Sequence, residues 1–382
     1  MRNPNKKLIV SVLVSSLILY TSLNLFLTFY DERWNETDVT TLLPEYYLDS
    51  PLESPLMGDD GELAITESAD LFFYGFDNET GRTFDGLLIV PNIIHYIRYN
   101  ETNFSFIDYV CLRSAYLAQK PDRIYLHSIV KEKHFTGVYW QWIAKSERDL
   151  YNRIVIQPLD LPKEIFGQSL SDDWQLFYGS DIARIQILME YGGIYLDNDV
   201  YVVRNLSAYR KYEIAMGWGE GEFIGNQVII AHRRARYLSL WLDCYRKYKP
   251  DLWYYNAGER PIVEILYKKP ELMHRVKVRL GVSQLMDKLY EFQDWPNWSQ
   301  NYDTIHLLMN HRDYLDSHFK EYGELNERNI QNYPYIFGKL ARLVVPADRL
   351  PSPSTTTNGE RITLKNTSHP QTTHNVNILK FS

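Results

Sequence analysis

Residues 180–199 read Ser-Asp-Ile-Ala-Arg-Ile-Gln-Ile-Leu-Met-Glu-Tyr-Gly-Gly-Ile-Tyr-Leu-Asp-Asn-Asp, and this stretch decides the fold. Its first part predicts a helix with Ser180 as the N-cap. Gly192 stands where such a helix ends in a left-handed turn, and Gly193 lets the backbone turn tightly or approach a ligand. Residues 193–203 then read as a strand. A helix that leads through a tight turn into a buried strand is typical of α/β proteins.

Short apolar strands and helices alternate on both sides of this unit. The segments that predict strands are 87–97, 123–129 and 153–160, and those that predict helices are 104–121, Tyr237–Tyr248 and further stretches to about Val345. This alternation predicts an α/β domain with a mainly parallel central sheet over residues 85–345.

Two carboxylates follow the predicted strand. Asp197 and Asp199 are two positions apart, so on an extended chain both side chains point to the same side. Ligands of open α/β sheets bind beyond the carboxyl ends of the strands, and hard oxygen ligands suit Mn²⁺ or Mg²⁺. The alternative is a solvated turn. A calcium loop of the EF-hand type is excluded because Tyr201 stands where an acid or amide is required.

A second acidic residue lies on the predicted helix. Asp181 and Arg184 are three positions apart, so they share one face of the helix. They form either part of a binding site with the two later carboxylates or an exposed ion pair.

The whole string resembles the DXD sugar-binding region of retaining glycosyltransferases related to α1,4-galactosyltransferase, α1,4-N-acetylglucosaminyltransferase and the fungal initiating α1,6-mannosyltransferase. Residues 90–100 look like the first strand of that family, with Arg98 in place of its usual tryptophan. Residues 225–231 resemble a segment in which an asparagine precedes a helix. Residues 302–306 are similar to a late segment that brings a histidine near the metal and diphosphate.

The resemblance implies a GT-A-like nucleotide-sugar-binding domain and a function. The implied enzyme is a metal-dependent retaining transferase that uses a nucleotide sugar, with UDP-sugars favoured, and moves a hexose or N-acetylhexosamine to a glycolipid or glycoprotein glycan. Carried over by position, the catalytic and metal-binding residues are Asp197 and Asp199, with His306 as a third metal or phosphate contact. The residues expected near the donor are Asp181, Arg184, Tyr96, Asn226, Gly192 and Gly193.

The first thirty residues predict a membrane anchor. Leu8–Tyr30 has no charged side chain, and as a helix it would be roughly 34 Å long, enough to cross a bilayer. Basic residues precede it, so the positive-inside rule places residues 1–7 in the cytoplasm and a stem of residues 31–84 in the lumen. The alternative is a cleaved signal peptide. A small tail, one anchor and a large lumenal part are typical of Golgi membrane enzymes, although a carbohydrate-binding cell-surface ectodomain has the same layout.

Seven glycosylation sequons support the lumenal interpretation, since chance would give roughly two or three. Their asparagines are Asn35, Asn78, Asn100, Asn103, Asn205, Asn297 and Asn366. The segment 346–382 is rich in Ser, Thr, Asn and Pro and is expected to be disordered.

Composition excludes several classes of protein. The 382 residues carry a formal net charge of −7, which argues against a general nucleic-acid binder. Cys111 and Cys244 are too few for a disulfide scaffold, so they are buried thiols or a single bridge. The tryptophans are core residues or sugar-stacking residues, and Trp218, between two glycines, is the best candidate among them for an acceptor contact. A catalytically silent relative of the family is the remaining alternative to an enzyme.

Overall fold

The computed structural model of the chain describes residues 88–129, 135–170, 175–250, 252, 254–281, 286–295 and 297–351. The predicted cytoplasmic tail, anchor and stem, and residues 352–382 of the predicted disordered tail, lie outside these ranges. The start of that tail is wrong, because Ala347–Arg349 form a 3-10 helix. Among the described residues, no helix combines the length and the apolar character that crossing a membrane requires.

The strands come from across the described chain. In chain order they are β1 (Ile93–Tyr99), β2 (Arg123–Ser128), β3 (Ile154–Pro158), β4 (Glu164–Ile165), β5 (Gln168–Ser169), β6 (Gly193–Leu196), β7 (Val200–Val202), β8 (Ile214–Gly217), β9 (Gly225–Ala231), β10 (His274–Val276) and β11 (Thr304–His306). The central sheet has seven strands in the order β10-β8-β9-β6-β1-β2-β3. β9 runs antiparallel to both of its neighbours, and every other pair in this sheet is parallel. The predicted α/β class with a mainly parallel sheet is therefore confirmed.

Helices cover both faces of this sheet. They are α1 (Phe106–Gln119), α2 (Val138–Ser146), α3 (Arg148–Arg153), α4 (Gln175–Tyr191), α5 (Arg236–Cys244), α6 (Met286–Glu291), α7 (Trp298–Asn301), α8 (Arg312–Leu315), α9 (Phe319–Tyr322) and α10 (Ile336–Val344). Two short π-helices, Tyr255–Glu259 and Ile262–Leu266, follow α5. One buried cluster joins the sheet to α1 and α10, and a second joins the opposite face to α4 and α5. A layer of helices on each face is what a sheet of apolar parallel strands requires.

Local sequence explains where α1 begins and ends. The side chain of Ser105 accepts a hydrogen bond from the backbone of Asp108, and the Asp108 carboxylate accepts one from the backbone of Ser105, so the helix starts with a capping box. Lys120 then adopts a left-handed conformation, with φ of 48°, which ends the helix before Pro121.

Two predicted boundaries are wrong. Ser180 does not cap α4, because the helix already includes Gln175 and the Ser180 hydroxyl donates to the carbonyl of Leu176 one turn earlier. The predicted strand over residues 193–203 is broken into β6 and β7. A turn separates them, in which the amide of Val200 donates to the carbonyl of Asp197 at 3.0 Å.

Candidate functional site

The turn between β6 and β7 carries both carboxylates. Because the chain turns here, Asp197 and Asp199 do not project from one extended strand, contrary to the simple alternation rule. The amide of Asp197 donates to the carbonyl of Gln227 at 2.9 Å, and the Asn198 side chain donates to the carbonyl of Ile97 at 2.7 Å. These bonds fix the turn against β9 and β1. The two carboxylates therefore lie at the carboxyl ends of β6 and β1, where ligands of open α/β sheets bind.

Arg184 joins the acidic residues of α4 to this turn. Its Nη2 lies 3.2 Å from Oδ1 of Asp181, and its Nη1 lies 3.2 Å from Oδ1 of Asp197. The same Nη1 donates to the carbonyl of Asn226 at 2.8 Å, and the Asn226 amide donates to Oδ1 of Asp181 at 2.8 Å. Four predicted site residues thus form one connected cluster, rather than the exposed ion pair that was the alternative. We call Asp181, Arg184, Asp197 and Asn226 the acidic cluster.

The electrostatics of the acidic cluster follow from its burial. Arg184 is 7% exposed, and although burial lowers its pKa, Asp197, Tyr195 and Asp181 together raise it, so the guanidinium stays charged. Burial raises the pKa of Asp181 to about 6, with Asp197 adding to the rise and Arg184 and Asn226 opposing it. A buried carboxylate held beside a fixed cation is suited to binding hydroxyl groups.

Asp199 faces a different set of groups. Its Oδ1 lies 3.2 Å from Nε2 of His306, its Oδ2 accepts from the amide of Met309 at 3.0 Å, and its own carbonyl accepts from the amide of Leu307. Burial alone would raise the pKa of Asp199, but His306 and the Met309 amide lower it overall. Burial lowers the pKa of His306, and Asp199 together with Asp197 raises it. The late histidine is therefore brought to the carboxylate, as the family resemblance implies.

The types of donor atom here suit a hard divalent cation. Asp197 and Asp199 supply carboxylate oxygens, and His306 supplies an imidazole nitrogen, which Mn²⁺ accepts and Mg²⁺ tolerates. The side chains of Asp197 and Asp199 keep 25% and 21% of their surface exposed, so the carboxylates are open to a ligand. Oδ1 of Asp199 and Nε2 of His306 lie 3.2 Å apart, while Oδ1 of Asp197 is paired with Arg184, so a cation shared by all three residues needs a movement of the Asp197 side chain.

The two glycines have a packing role. Gly193 has φ of 110°, and a Cβ there would lie 2.6 Å from Cγ1 and 2.8 Å from the carbonyl oxygen of Ile93. Gly192 ends α4 with φ of 64°, as predicted, and its carbonyl contacts His95 at 2.8 Å. Because Gly193 and Asp197 are four positions apart along β6, their Cα atoms lie about 13 Å from each other. The glycines bring β6 against β1 rather than approach the donor.

Tyr96 and Arg98 lie inside the protein. Tyr96 is 2% exposed, so its ring packs in the core and is not available to stack on a nucleobase. Arg98 is also 2% exposed, pairs with Asp108 and donates to the carbonyl of Asn103 at 3.1 Å. The residue that replaces the family's tryptophan therefore turns inward and offers no stacking surface to a ligand.

Other predicted residues fall into clear places. Asn226 lies in the strand β9 and not before a helix, since the chain returns antiparallel to β6 at this point. Trp218 is 5% exposed, its indole donates to the carbonyl of Glu222, and the Arg275 guanidinium covers its ring at 4.3 Å. The expectation that Trp218 contacts an acceptor is wrong, because its ring is packed in the core.

The two cysteines are free and buried. The sequon asparagines that lie on the exposed surface are Asn100, Asn103, Asn205 and Asn297.

Sequence reasoning missed two tyrosines of the site. The Tyr195 hydroxyl donates to Oδ1 of Asp197 at 2.7 Å, and its ring lies 4.8 Å below the Arg184 guanidinium. The Tyr254 hydroxyl donates to the carbonyl of Ile224 at 2.7 Å and accepts from the amide of Asn226 at 3.3 Å. Tyr195 could have been found from the alternation of β6, whereas no local signal marks Tyr254.

Comparison with known proteins supports the resemblance. Residues 116–221 match the family described as "Glycosyltransferase sugar-binding region containing DXD motif". The chain is 23% identical over 192 residues to glucan organizing enzyme 1 of Cryptococcus neoformans var. grubii, covering 46% of this chain and 49% of that protein. It is 25% identical over 170 residues to the lactosylceramide 4-alpha-galactosyltransferase of Rattus norvegicus, covering 41% of this chain and 46% of that protein. The match thus spans about half the length of these curated relatives.

Among solved structures, the chain is similar to the galactosyltransferase LgtC in complex with donor and acceptor sugar analogs. The TM-score is 0.38 at 15% identity, over 67% of this chain and 98% of that one. It is also similar to the PaToxG glycosyltransferase, with a TM-score of 0.31 at 18% identity, over 47% of this chain and 69% of that one.

Proposed function

Because residues 116–221 match the family described as glycosyltransferase sugar-binding region containing DXD motif, we propose that this protein is a metal-dependent, retaining glycosyltransferase with a GT-A-like fold. It transfers a hexose or N-acetylhexosamine from a nucleotide sugar, with UDP-sugars favoured, to a glycolipid or glycoprotein glycan. The observation that carries the proposal is the position of Arg184, which joins Asp181 to Asp197 at the carboxyl end of β6.

The acidic cluster holds the sugar of the donor. Asp181 is an acceptor for sugar hydroxyls, and the Arg184 guanidinium keeps it ionised and in place. Arg184 also lies close enough to the β6–β7 turn to attract the diphosphate. Hydrogen bonds between a charged group and a sugar hydroxyl contribute about 1.5–3 kcal/mol each, which is enough to select one hexose arrangement.

The second part of the site holds the diphosphate. Asp197, Asp199 and His306 would bind Mn²⁺ or Mg²⁺ there. When bound, such a cation supplies charge stabilisation for a departing nucleoside diphosphate. The chain's own residues prepare this place: Tyr195 and Arg184 orient Asp197, and the Met309 amide orients Asp199.

Retention requires attack from the face that the diphosphate leaves. The bond between the anomeric carbon and the diphosphate oxygen breaks, a bond from that carbon to the acceptor oxygen forms, and the acceptor proton passes to the diphosphate oxygen. No protein general base is needed in this scheme, which is consistent with the partners of the three carboxylates: Asp181 and Asp197 pair with Arg184, and Asp199 with His306 and the Met309 amide.

We place this domain in the lumen of the Golgi, held by the apolar segment Leu8–Tyr30. Exposure of the four described sequon asparagines supports this placement, because oligosaccharyl transfer needs an accessible side chain. Digestion of the expressed protein with an N-glycosidase tests the lumenal placement, and microscopy against a Golgi marker tests the compartment. A cell-surface signal would instead favour a carbohydrate-binding ectodomain.

The central experiment uses the full chain in detergent micelles. Binding of UDP-galactose, UDP-glucose, UDP-N-acetylglucosamine and GDP-mannose is measured by calorimetry with and without Mn²⁺. We expect Mn²⁺-dependent binding of one donor, followed by its slow hydrolysis or transfer, and loss of binding in Asp199→Ala. Asp181→Asn should lower the affinity for the sugar nucleotide by roughly 10- to 100-fold and leave the affinity for the nucleoside diphosphate unchanged.

The matched control is Asp243→Asn, which removes an exposed carboxylate of α5 whose ion pair is with Arg246. It should behave as wild type. A folded chain that binds none of the four donors in any of these conditions would exclude the enzyme and favour the catalytically silent relative.

A further inference from the structure

Asn226 is held at three points. Its side-chain amide donates to Asp181, its carbonyl accepts from Arg184, and its backbone amide donates to the Tyr254 hydroxyl. The first two partners are the residues that the proposed function assigns to the donor sugar. The third partner, Tyr254, lies outside the acidic cluster and contacts its member Asn226.

The register of β9 explains why Asn226 needs this third bond. β8 and β9 pair regularly from Ile214 to Met216, but the register shifts before Gly217, which pairs with Gly225. The residues of β9 inside this shift, including Asn226, have no antiparallel partner on β8. A backbone amide left out of a ladder must find another acceptor when it is buried. The Tyr254 hydroxyl is that acceptor, and it also donates to the carbonyl of Ile224.

Tyr254 is held in an unfavourable conformation to make these bonds. Its φ of 56° and ψ of −2° lie in the left-handed region, which non-glycine residues seldom adopt. Its ring lies against Gly258, where a Cβ would be 2.2 Å from the ring, so only glycine admits it. Backbone strain of this kind persists where the surrounding structure fixes it, commonly at functional sites.

We infer that Tyr254 is a positioning residue for the donor sugar, acting on Asp181 through Asn226. This inference rests on the proposed function, since it deepens the role of the same site. The Tyr254 hydroxyl fixes the end of β9, the end of β9 fixes the Asn226 side chain, and that side chain orients the carboxylate of Asp181. Loss of the hydroxyl therefore loosens sugar recognition most, and the diphosphate side changes less, because Asp199 and His306, which contact each other, also hold that side.

The protein offers a matched control. Tyr237 lies nearby on α5 and is fully buried, and its hydroxyl has no hydrogen-bond partner among the described residues. Tyr237→Phe removes the same atom as Tyr254→Phe without removing a bond. Any effect of lost tyrosine polarity as such would be common to both variants.

The experiment compares full-length wild type, Tyr254→Phe and Tyr237→Phe in detergent micelles with Mn²⁺. For each, the Kd is measured for the sugar nucleotide that wild type binds, chosen from UDP-galactose, UDP-glucose, UDP-N-acetylglucosamine and GDP-mannose, and for the matching UDP or GDP. We expect Tyr254→Phe to raise the Kd of the sugar nucleotide by roughly five- to tenfold and to raise that of the nucleoside diphosphate by less. Tyr237→Phe should match wild type for both ligands.

Two further variants separate positioning from general damage. In an Asp181→Asn background, Tyr254→Phe should have no further effect, because it acts through that carboxylate. Gly258→Ala, which displaces the ring, should reproduce the selective loss if Tyr254→Phe does not fold. Equal loss of both ligands, or an unchanged sugar-nucleotide Kd in Tyr254→Phe, overturns the inference alone. Absence of sugar-nucleotide binding by wild type overturns the proposed function with it.

Discussion

Nε2 of His306 lies 3.2 Å from Oδ1 of Asp199, although one residue lies in a strand and the other in a turn far from it in the chain. Asp199 immediately precedes β7, and His306 ends β11, which pairs antiparallel with β7 in a small separate sheet. The pairing of two three-residue strands thus brings an imidazole to the last carboxylate of the motif. This second sheet completes the site that the central sheet begins.

This relationship predicts how divalent cations bind. Asp199→Asn keeps the shape of the side chain but removes its charge. Mn²⁺ affinity should therefore fall by at least tenfold, because replacing even a residue that only hydrogen-bonds to a metal ligand typically lowers metal affinity by about 10- to 100-fold. His306→Ala should also weaken Mn²⁺ binding, while Asp243→Asn should not. Calorimetric titration of the full chain with Mn²⁺ measures all three. Unchanged affinity in Asp199→Asn would place the cation elsewhere.

A pair of buried histidines predicts the pH dependence of stability. His95 Nδ1 lies 3.0 Å from His127 Nε2, and the rings of Tyr125 and Tyr191 pack around them. Burial lowers the pKa of His95 to about 4, against a smaller opposing effect of the Gly192 carbonyl, and burial together with His95 lowers that of His127 to about 3. Both rings are therefore neutral in the folded protein at neutral pH.

The sign of the effect follows from these values. An unfolded histidine binds a proton near pH 6.5, whereas the folded pair does not until about pH 4, so the free energy of unfolding falls as the pH drops between these values. The slope is at most about 1.4 kcal/mol per pH unit for each histidine. Urea unfolding at pH 7.5 and 5.5 measures it. Between pH 7.5 and 5.5, the free energy of unfolding of His127→Gln should fall by less than that of wild type. His311→Gln, the control at an exposed site, should lose as much as wild type. A larger loss in His127→Gln than in wild type would contradict the assignment.

The sequence predicts those features that depend on neighbours in the chain. The unit of α4, Gly192 and β6 was predictable because helical periodicity and a left-handed glycine are local signals. Strands β2 and β3 begin within one residue of the predicted positions and end within two for the same reason. Ser180 misled because serine also bonds to the preceding turn inside a helix.

Features that depend on tertiary contacts could not be predicted in this way. β9 reads Gly-Asn-Gln-Val-Ile-Ile-Ala, and only its pairing with β6 and β8 shows that it is antiparallel. The inward turn of Arg98 depends on Asp108, whose carboxylate also caps α1. Tyr254 reaches Asn226 from a segment whose π-helical geometry has no simple sequence signature.

A cavity behind the β6–β7 turn predicts an ordered water. It has a volume of about 10 Å³, close to the room that one water needs, and its lining includes Tyr96, Arg98 and Asn198. Within the described part of the chain, neither the Tyr96 hydroxyl nor Nε of Arg98 has a hydrogen-bond partner. A water between them would satisfy both.

A crystal structure at about 2 Å resolution or better would show this water within hydrogen-bond distance of both groups. In Tyr96→Phe the water should lose its hydrogen bond to residue 96 and keep the one to Arg98. The free energy of unfolding should fall by about 1 kcal/mol, the net value of one buried hydrogen bond. A dry cavity in wild type, with a stability unchanged in Tyr96→Phe, would show that these polar atoms remain unpaired.

A pair of glycines predicts how closely β6 must pack. Gly193 and Gly221 both have positive φ, 110° and 69°, so alanine is strained at both. They differ in space. A Cβ at Gly193 would lie 2.6 Å from Ile93, whereas among the described residues a Cβ at Gly221 meets no heavy atom within 4 Å. Gly221→Ala therefore measures the cost of a positive φ without a collision, and Gly193→Ala adds the collision between β6 and β1 and a φ further from the left-handed region.

We expect Gly193→Ala to lower the free energy of unfolding by about 1–3 kcal/mol more than Gly221→Ala, the usual cost of overpacking a buried contact. Urea unfolding of both variants measures the difference. Because β6 leads directly into the turn of Asp197 and Asp199, Gly193→Ala should also weaken Mn²⁺ binding, which Gly221→Ala leaves intact. If both variants lower the free energy of unfolding equally, β6 can move away from β1 without cost. The contact between Gly193 and Ile93 would then not determine the position of the turn.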